Sequence, residues 1–206
     1  MDDRFRAAVP VYGCGFLHDN SVWLPRFAAM TPAWKETWVR HFDPSQYVGR
    51  AKMPMLFVNG TNDFAYPLDS YQKTYRLVDR RQLCVTVNMP HGHPQGWAPQ
   101  EIGWFVDHQV RGGEALPRIA PQALVADDAG SATIRVVSAN SPKVRFHWTS
   151  DVGPWQRRKW QTVDATLDKD AARAALPTAR PLVGFFTLTD ARGATVSCEH
   201  FEVREE

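Results

Sequence analysis

The stretch MPMLFVNGTNDFAYP, Met53 to Pro67, decides how this chain is read. Its first six residues are apolar without a break, and Asn59-Gly60-Thr61-Asn62-Asp63 then ends the run. A short run that is apolar on both faces suits a central strand of a parallel sheet, where both faces are covered. Asp63 then falls just past the carboxyl end of that strand, where open α/β sheets place their sites.

Working outward, PLDSYQKTYRLVD (67–79) sets Leu68, Tyr71, Tyr75 and Val78 at helical spacing, and QLCVTVN (82–88) makes a second strand. PQEIGWFVDHQV (99–110) predicts another helix, with Pro99 at its start, Glu101 near its positive end and Ile102, Phe105 and Val106 as its apolar stripe. Upstream, Thr31 followed by Pro32 predicts the start of a helix over 31–41 that carries Trp34 and Trp38 on one face. AAVPVY (7–12) reads as a further strand running into Gly13-Cys14-Gly15.

This strand–helix alternation is that of an α/β fold with right-handed crossovers. It stops near RGGEALP (111–117). Beyond it come strand candidates at 131–138, 143–150, 159–167, 182–190 and 195–203. Turn signals at Asn140-Ser141-Pro142, Val152-Gly153-Pro154 and Ala191-Arg192-Gly193 separate them. The expectation is an α/β unit over residues 1–115 and an all-β sandwich, immunoglobulin- or fibronectin-like, over 119–206.

Composition narrows the partners. With 206 residues and a formal net charge of +2, the chain gives no electrostatic reason to expect nucleic acid or an acidic membrane surface. No stretch approaches the roughly 20 apolar residues of a membrane span. Cys14, Cys84 and Cys198 are scattered without CxxC spacing, so neither a structural zinc site nor a disulfide framework is implied. No motif calls for a cofactor or a metal.

The chemistry gathers on two loops. Asp63 follows one strand; His91 and His93, in Asn88-Met89-Pro90-His91-Gly92-His93, follow the next. A neutral imidazole can take a nucleophile's proton if a carboxylate fixes its tautomer and steadies the imidazolium that forms. Asp63 is therefore the candidate acid. His93, in the Gly-His register, is the first candidate base, and His91 is the alternative or a supporting group. A His-Gly-His metal site lacks a third ligand at a telling spacing. No GxSxG occurs, and no serine stands between a strand and a helix. Cys14 between two glycines is the substitute nucleophile, set against the commoner role of a small buried thiol.

Several segments resemble acetyl-xylan-esterase-like and prolyl-oligopeptidase-like members of the α/β-hydrolase superfamily. DDRFRAAVPVYGCGFL is similar to the stretch just after their nucleophile elbow, and GTNDFAYP and MPHGHPQGW to their acid and histidine loops. PQEIGWFVDHQVRGG looks like their last helix, and the region after residue 148 like a sandwich appended to some of them. The resemblance implies the C-terminal half of an α/β-hydrolase sheet from a serine hydrolase that acts on small-molecule or carbohydrate esters through an acyl-enzyme. Asp63 would be the triad acid and His93, or His91, the base. It also implies that Met1 is not the natural start, that the serine lies upstream, and that any export signal lies there too. A half sheet of that kind would expose a long apolar edge and be poorly soluble unless paired. The rival expectation is a non-catalytic binding module on the sandwich, with Trp148, Trp155 and Trp160 beside Arg157-Arg158-Lys159 as a glycan-stacking patch.

Overall fold

The computed structural model describes residues 4–120, 125–127, 130–140 and 142–204. Met1 and the middle residue of the expected turn at 140–142 lie outside the described residues.

The elements run as helices α1 (Leu24–Ala28) and α2 (Pro32–Phe42), strand β1 (Met55–Asn62), α3 (Leu68–Tyr75), β2 (Arg81–Pro90), α4 (His93–Trp97) and α5 (Glu101–Arg111). Among the described residues these strands follow: β3 (Arg118–Ile119), β4 (Val125–Asp127), β5 (Ser131–Ser138), β6 (Lys143–Thr149), β7 (Gln161–Asp164), β8 (Thr166–Asp168), β9 (Ala171–Ala175), β10 (Leu182–Thr189), β11 (Thr195–Ser197) and β12 (Phe201–Val203).

β1 is the strand expected from the apolar run, and all but its last residue are buried. It pairs in parallel with β2 through the α3 crossover. On its other side, residues 8–11 add parallel bridges at Ala8–Met55 and Val11–Val58. Pro10 lends its carbonyl to Val58 and has no N–H to give, which suits an edge position. α2 begins as expected, with the Thr31 hydroxyl accepting from Trp34 N, but none of its residues is buried. Trp34 stands exposed, while Trp38 packs edge-on against Phe27.

The expected architecture needs correction. The parallel strands are not half of an α/β-hydrolase sheet followed by a separate immunoglobulin- or fibronectin-like sandwich. They belong to one mixed, seven-stranded sheet in the order β1-β2-β11-β10-β6-β7, with β12 also on β10. The join is antiparallel, Ser197 facing Leu83. The edge of β2 away from β1 is partly covered by the chain's own C-terminal strands. A second sheet, β3-β5-β9-β8 with β4 on β5, packs over one face of the first. A single core links them, with Leu56, Val58 and Phe105 in contact through it with Phe146, Phe186, Ile134 and Ala172. Strand outweighs helix, 33% to 26%.

The expected strand at 195–203 is broken in two. Cys198 N still donates to the Phe186 carbonyl at 3.0 Å, but Glu199 and His200 leave the ladder, and Glu199 reaches Arg76 of α3 at 2.7 Å and Arg81 of β2 at 2.9 Å. Gln72 of α3 donates to the His200 carbonyl at 2.7 Å. The break thus docks α3 on the sheet. β9 was not expected, because its sequence AARAA has helical propensity. Its alternate burial against β5 and β8 overrides that preference.

Two buried histidines stay neutral. His147 sits between Thr162 Oγ1 and Thr187 Oγ1, each 2.8 Å from a ring nitrogen, and burial lowers its pKa to about 4. Burial first, then Arg76 and Arg158, lowers that of His200 to about 3. An unfolded histidine titrates near 6.5. The unfolded chain therefore binds more protons between that pH and the folded values, so stability present above about pH 6.5 is lost as pH falls toward 4 and then 3. Urea melts should show a lower midpoint at pH 4.5 than at pH 7.5, and His147→Gln should flatten that difference. An unchanged difference in the variant would rule out this source.

Candidate functional site

The site is built where β1 and β2 end. Pairing runs in step from Met55–Arg81 to Gly60–Thr86, but the next pair is Asn62–Pro90. β2 therefore carries two extra residues there and bends. Asn88 takes up the turn with φ +59, a left-handed conformation that asparagine tolerates, and its N–H donates to Thr61 Oγ1 at 2.8 Å. Gly60 lets the two backbones close in, since a Cβ there would overlap the Met89 carbonyl. The bend carries β2 on to Pro90 and delivers His91 to the loop of Asp63.

Asp63 is 1% exposed. Its Oδ1 accepts from the N–H groups of Ala65 at 2.6 Å and Tyr66 at 2.9 Å. His91 Nδ1 lies 3.1 Å and 3.0 Å from the two carboxylate oxygens. A carboxylate can only accept here, so Nδ1 carries the proton and Nε2 is left as the basic nitrogen. The fully buried Asn59 supports the loop, donating from Nδ2 to the Tyr66 carbonyl at 3.0 Å and accepting from Gly60 N at 2.7 Å. Asn62 ties it to the far half of the chain, donating to the carbonyls of Gln156 and Arg158 at 3.2 and 2.9 Å.

Three aromatic rings surround His91. Tyr12 lies 4.4 Å away between centroids, Phe64 5.4 Å and Tyr66 5.7 Å. Tyr12 holds φ +63, a conformation that costs a bulky residue about 1–3 kcal/mol. Its hydroxyl donates to the carbonyls of Pro90 at 3.1 Å and Gly92 at 3.0 Å, on either side of His91. Gly96 of α4 makes room, since a Cβ there would come within 2.6 Å of the Tyr12 ring. Tyr12 is a site residue that the sequence reading did not name; only its place beside the Gly13-Cys14-Gly15 turn could have pointed to it.

The structure thus brings Asp63 together with His91. His93 stands apart as the exposed first residue of α4, and no contact joins it to Asp63 among the described residues. The Gly-His register assumed an unbent strand ending at Asn88, and the bend in β2 shifts the histidine that reaches the acid.

Cys14 is buried, and desolvation first, then Asp43, Asp63 and Asp69, pushes its thiol pKa well up. It makes no hydrogen bond to either histidine among the described residues and has little thiolate character. Trp155 and Trp160 are core residues beside Phe185 and Val183, and the Arg158 guanidinium covers the Trp155 ring at 3.8 Å. Among the described residues no group of three or more His, Cys, Asp or Glu could hold a metal ion.

A sequence profile of the PhoPQ-activated pathogenicity-related protein family matches residues 28–154. That is more than half of the chain, and the chain belongs to this family. No curated protein matches it. Among solved structures, a Cellulomonas fimi endo-beta-1,4-mannanase double mutant is 16% identical with a TM-score of 0.29, over 73% of this chain and 39% of that one. An engineered protein is 16% identical with a TM-score of 0.30, over 96% and 54%. The chain thus spans about two fifths and just over half of these two structures, and likenesses this slight carry no argument. The family match corrects the resemblance drawn from the sequence. Residues 28–154 match the PhoPQ-activated pathogenicity-related family, not acetyl-xylan-esterase-like or prolyl-oligopeptidase-like α/β-hydrolases.

The geometry predicts that Gly60→Ala pushes β1 and β2 apart at the site. We expect a loss of about 1–3 kcal/mol in denaturant unfolding and a weakened Asp63–His91 bond, read as reduced protection of the His91 Nδ1 proton by NMR. A variant of wild-type stability that keeps the protected proton would contradict the close approach.

Proposed function

We propose that Asp63 and His91 form the acid–base half of a hydrolytic centre for carboxylic esters, completed by a serine nucleophile from outside these 206 residues. The observation that supports the reading is the buried Asp63 carboxylate, fixed by two backbone N–H groups and facing His91 Nδ1. Burial and its two N–H donors hold the carboxylate in place before any reaction, so it orients the ring at no further cost.

The steps follow from that orientation. His91 Nε2 takes the serine proton as the oxygen attacks the ester carbonyl. The imidazolium, steadied by Asp63, returns that proton to the departing alkoxide. Water then repeats the sequence on the acyl-serine and releases the acid. The substrate class is a small-molecule or carbohydrate ester. Tyr12, Phe64 and Tyr66 restrict the ring to the orientation in which Nδ1 meets the carboxylate. A second reading, a binding module without catalysis, draws support from the polar cleft described below.

The test is p-nitrophenyl acetate hydrolysis by this chain and by the chain extended upstream of Met1. The extended chain should turn over, and His91→Ala should lower kcat about 10²–10⁴-fold while His93→Ala changes it little. Loss of activity in His93→Ala with His91→Ala intact would overturn the assignment of the base. An inactive extended chain would favour the binding module.

A further inference from the structure

The sheet face behind β2 changes character along its length. At one end it is apolar, with Val183 and Phe185 packed on Trp155 and Trp160. Further along β10, on the same face, come Thr187 and Thr189, and their cross-strand neighbours are Arg145 and the exposed Lys143 on β6 and Ser197 and Thr195 on β11. These hydroxyls already have partners within the protein. Thr187 Oγ1 lies 2.8 Å from His147 Nε2, Thr189 Oγ1 lies 2.9 Å from Thr195 Oγ1, and Ser197 Oγ accepts from Val85 N at 3.1 Å. Each oxygen can make a further bond where it borders open space.

Arg145, Thr187, Thr189 and Thr195 border a cleft of about 650 Å³. That is within the usual range of small-molecule sites. Its opposite wall is the first turn of α5, with Gln100, Glu101 and Trp104. Four consecutive residues of β2, Cys84 to Val87, line it as well. Side chains of a strand alternate between faces, so four in succession can border one cleft only along the strand's backbone edge. β11 pairs with β2 at Leu83 alone; past that point Val85 N donates to Ser197 Oγ at 3.1 Å, and no strand among the described residues covers the rest of this edge.

The charges decide what fits. Arg192 already meets Asp190 at 2.8 Å and the Ala115 carbonyl at 2.6 Å, and lies 5.5 Å from the centre of the Trp104 ring. Arg145 is paired with Asp164 at 3.2 Å. Glu101 places a buried carboxylate in the wall, accepting from Thr195 N at 2.8 Å. Both guanidinium charges are offset, and the added carboxylate disfavours an anionic ligand. Neutral His147 behind Thr187 bonds that hydroxyl through one lone pair or its proton, leaving the oxygen further capacity toward the cleft. The walls thus offer hydroxyls, an amide, a carboxylate and a partly open strand edge around one indole.

We propose that this cleft binds a neutral polyhydroxylated ligand, a sugar of one or two rings, with Trp104 against its apolar face and the Thr187–Thr189–Thr195 hydroxyls on its edge. Neither Asp63 nor His91 lines this cleft, and the proposal does not depend on that pair being catalytic.

Isothermal titration of the full chain with cellobiose, xylobiose, maltose and N,N′-diacetylchitobiose tests it, with inorganic phosphate and acetate as anionic probes. At least one sugar should bind, and neither anion should. Trp104→Ala and Thr189→Val should each weaken binding by about tenfold or more. Thermal melts identify any variant that has lost its fold, and Gln100→Ala, an exposed change on the same wall, then serves in its place with a several-fold loss expected. No binding by any of the four sugars, phosphate or acetate binding in their stead, or full affinity in the folded variants would overturn the proposal.

Discussion

The contact between Gly60 and the Met89 carbonyl sets the geometry of everything around it. A parallel pair of regular strands would end with its loops side by side and their side chains displaced by the slant of the ladder. Here the missing Cβ at residue 60 lets β2 press against β1, and two extra residues in β2 absorb the mismatch. That bend carries His91 over a carboxylate whose own position is settled by backbone N–H groups. Tyr12 then fastens the loop on both sides of the histidine, at the expense of an unfavourable backbone conformation. Strain of this kind persists only where its surroundings over-determine it, and it gathers at functional sites.

Much of the first half was legible because its signals are local. The apolar run of β1, the capping threonine of α2 and the stripe of α3 each follow from residues a few positions apart. The placement of Asp63 past β1 followed from the same reasoning. On α5, by contrast, Val106 of the expected stripe is exposed, and Trp104 packs on the core with Ile102 and Phe105. What was not legible rests on pairings between distant residues. Nothing near Leu83 announces that Ser197 will sit beside it, so two expected units share one sheet. The choice between His91 and His93 turned on a bend whose causes, Gly60 opposite Met89 and Asn88 in the left-handed region, lie on different strands. β9 was hidden because alanines read as helix until a neighbouring sheet buries every second one.

The two faces of the large sheet divide the work. One face builds the shared core with the second sheet and α5, and it is apolar almost throughout. The other begins apolar around Trp155 and Trp160 and becomes a hydroxyl-lined wall toward Thr189 and Thr195. Tryptophans that in sequence suggested a stacking patch are spent on packing there, whereas Trp104, in a segment read only as a helix, stands at the cleft.

The Asn62 amide links the acid's loop to Gln156 and Arg158, in the segment between β6 and β7. Surface loops ordinarily accept added or deleted residues with little effect on distant parts of a fold. This one does not have that freedom. Its two carbonyls act as a fixed anchor for the turn that holds Asp63, so its length is tied to the position of the carboxylate. Grafting a tag or a foreign peptide between Gly153 and Lys159 would alter the site from nearly a hundred positions away along the chain.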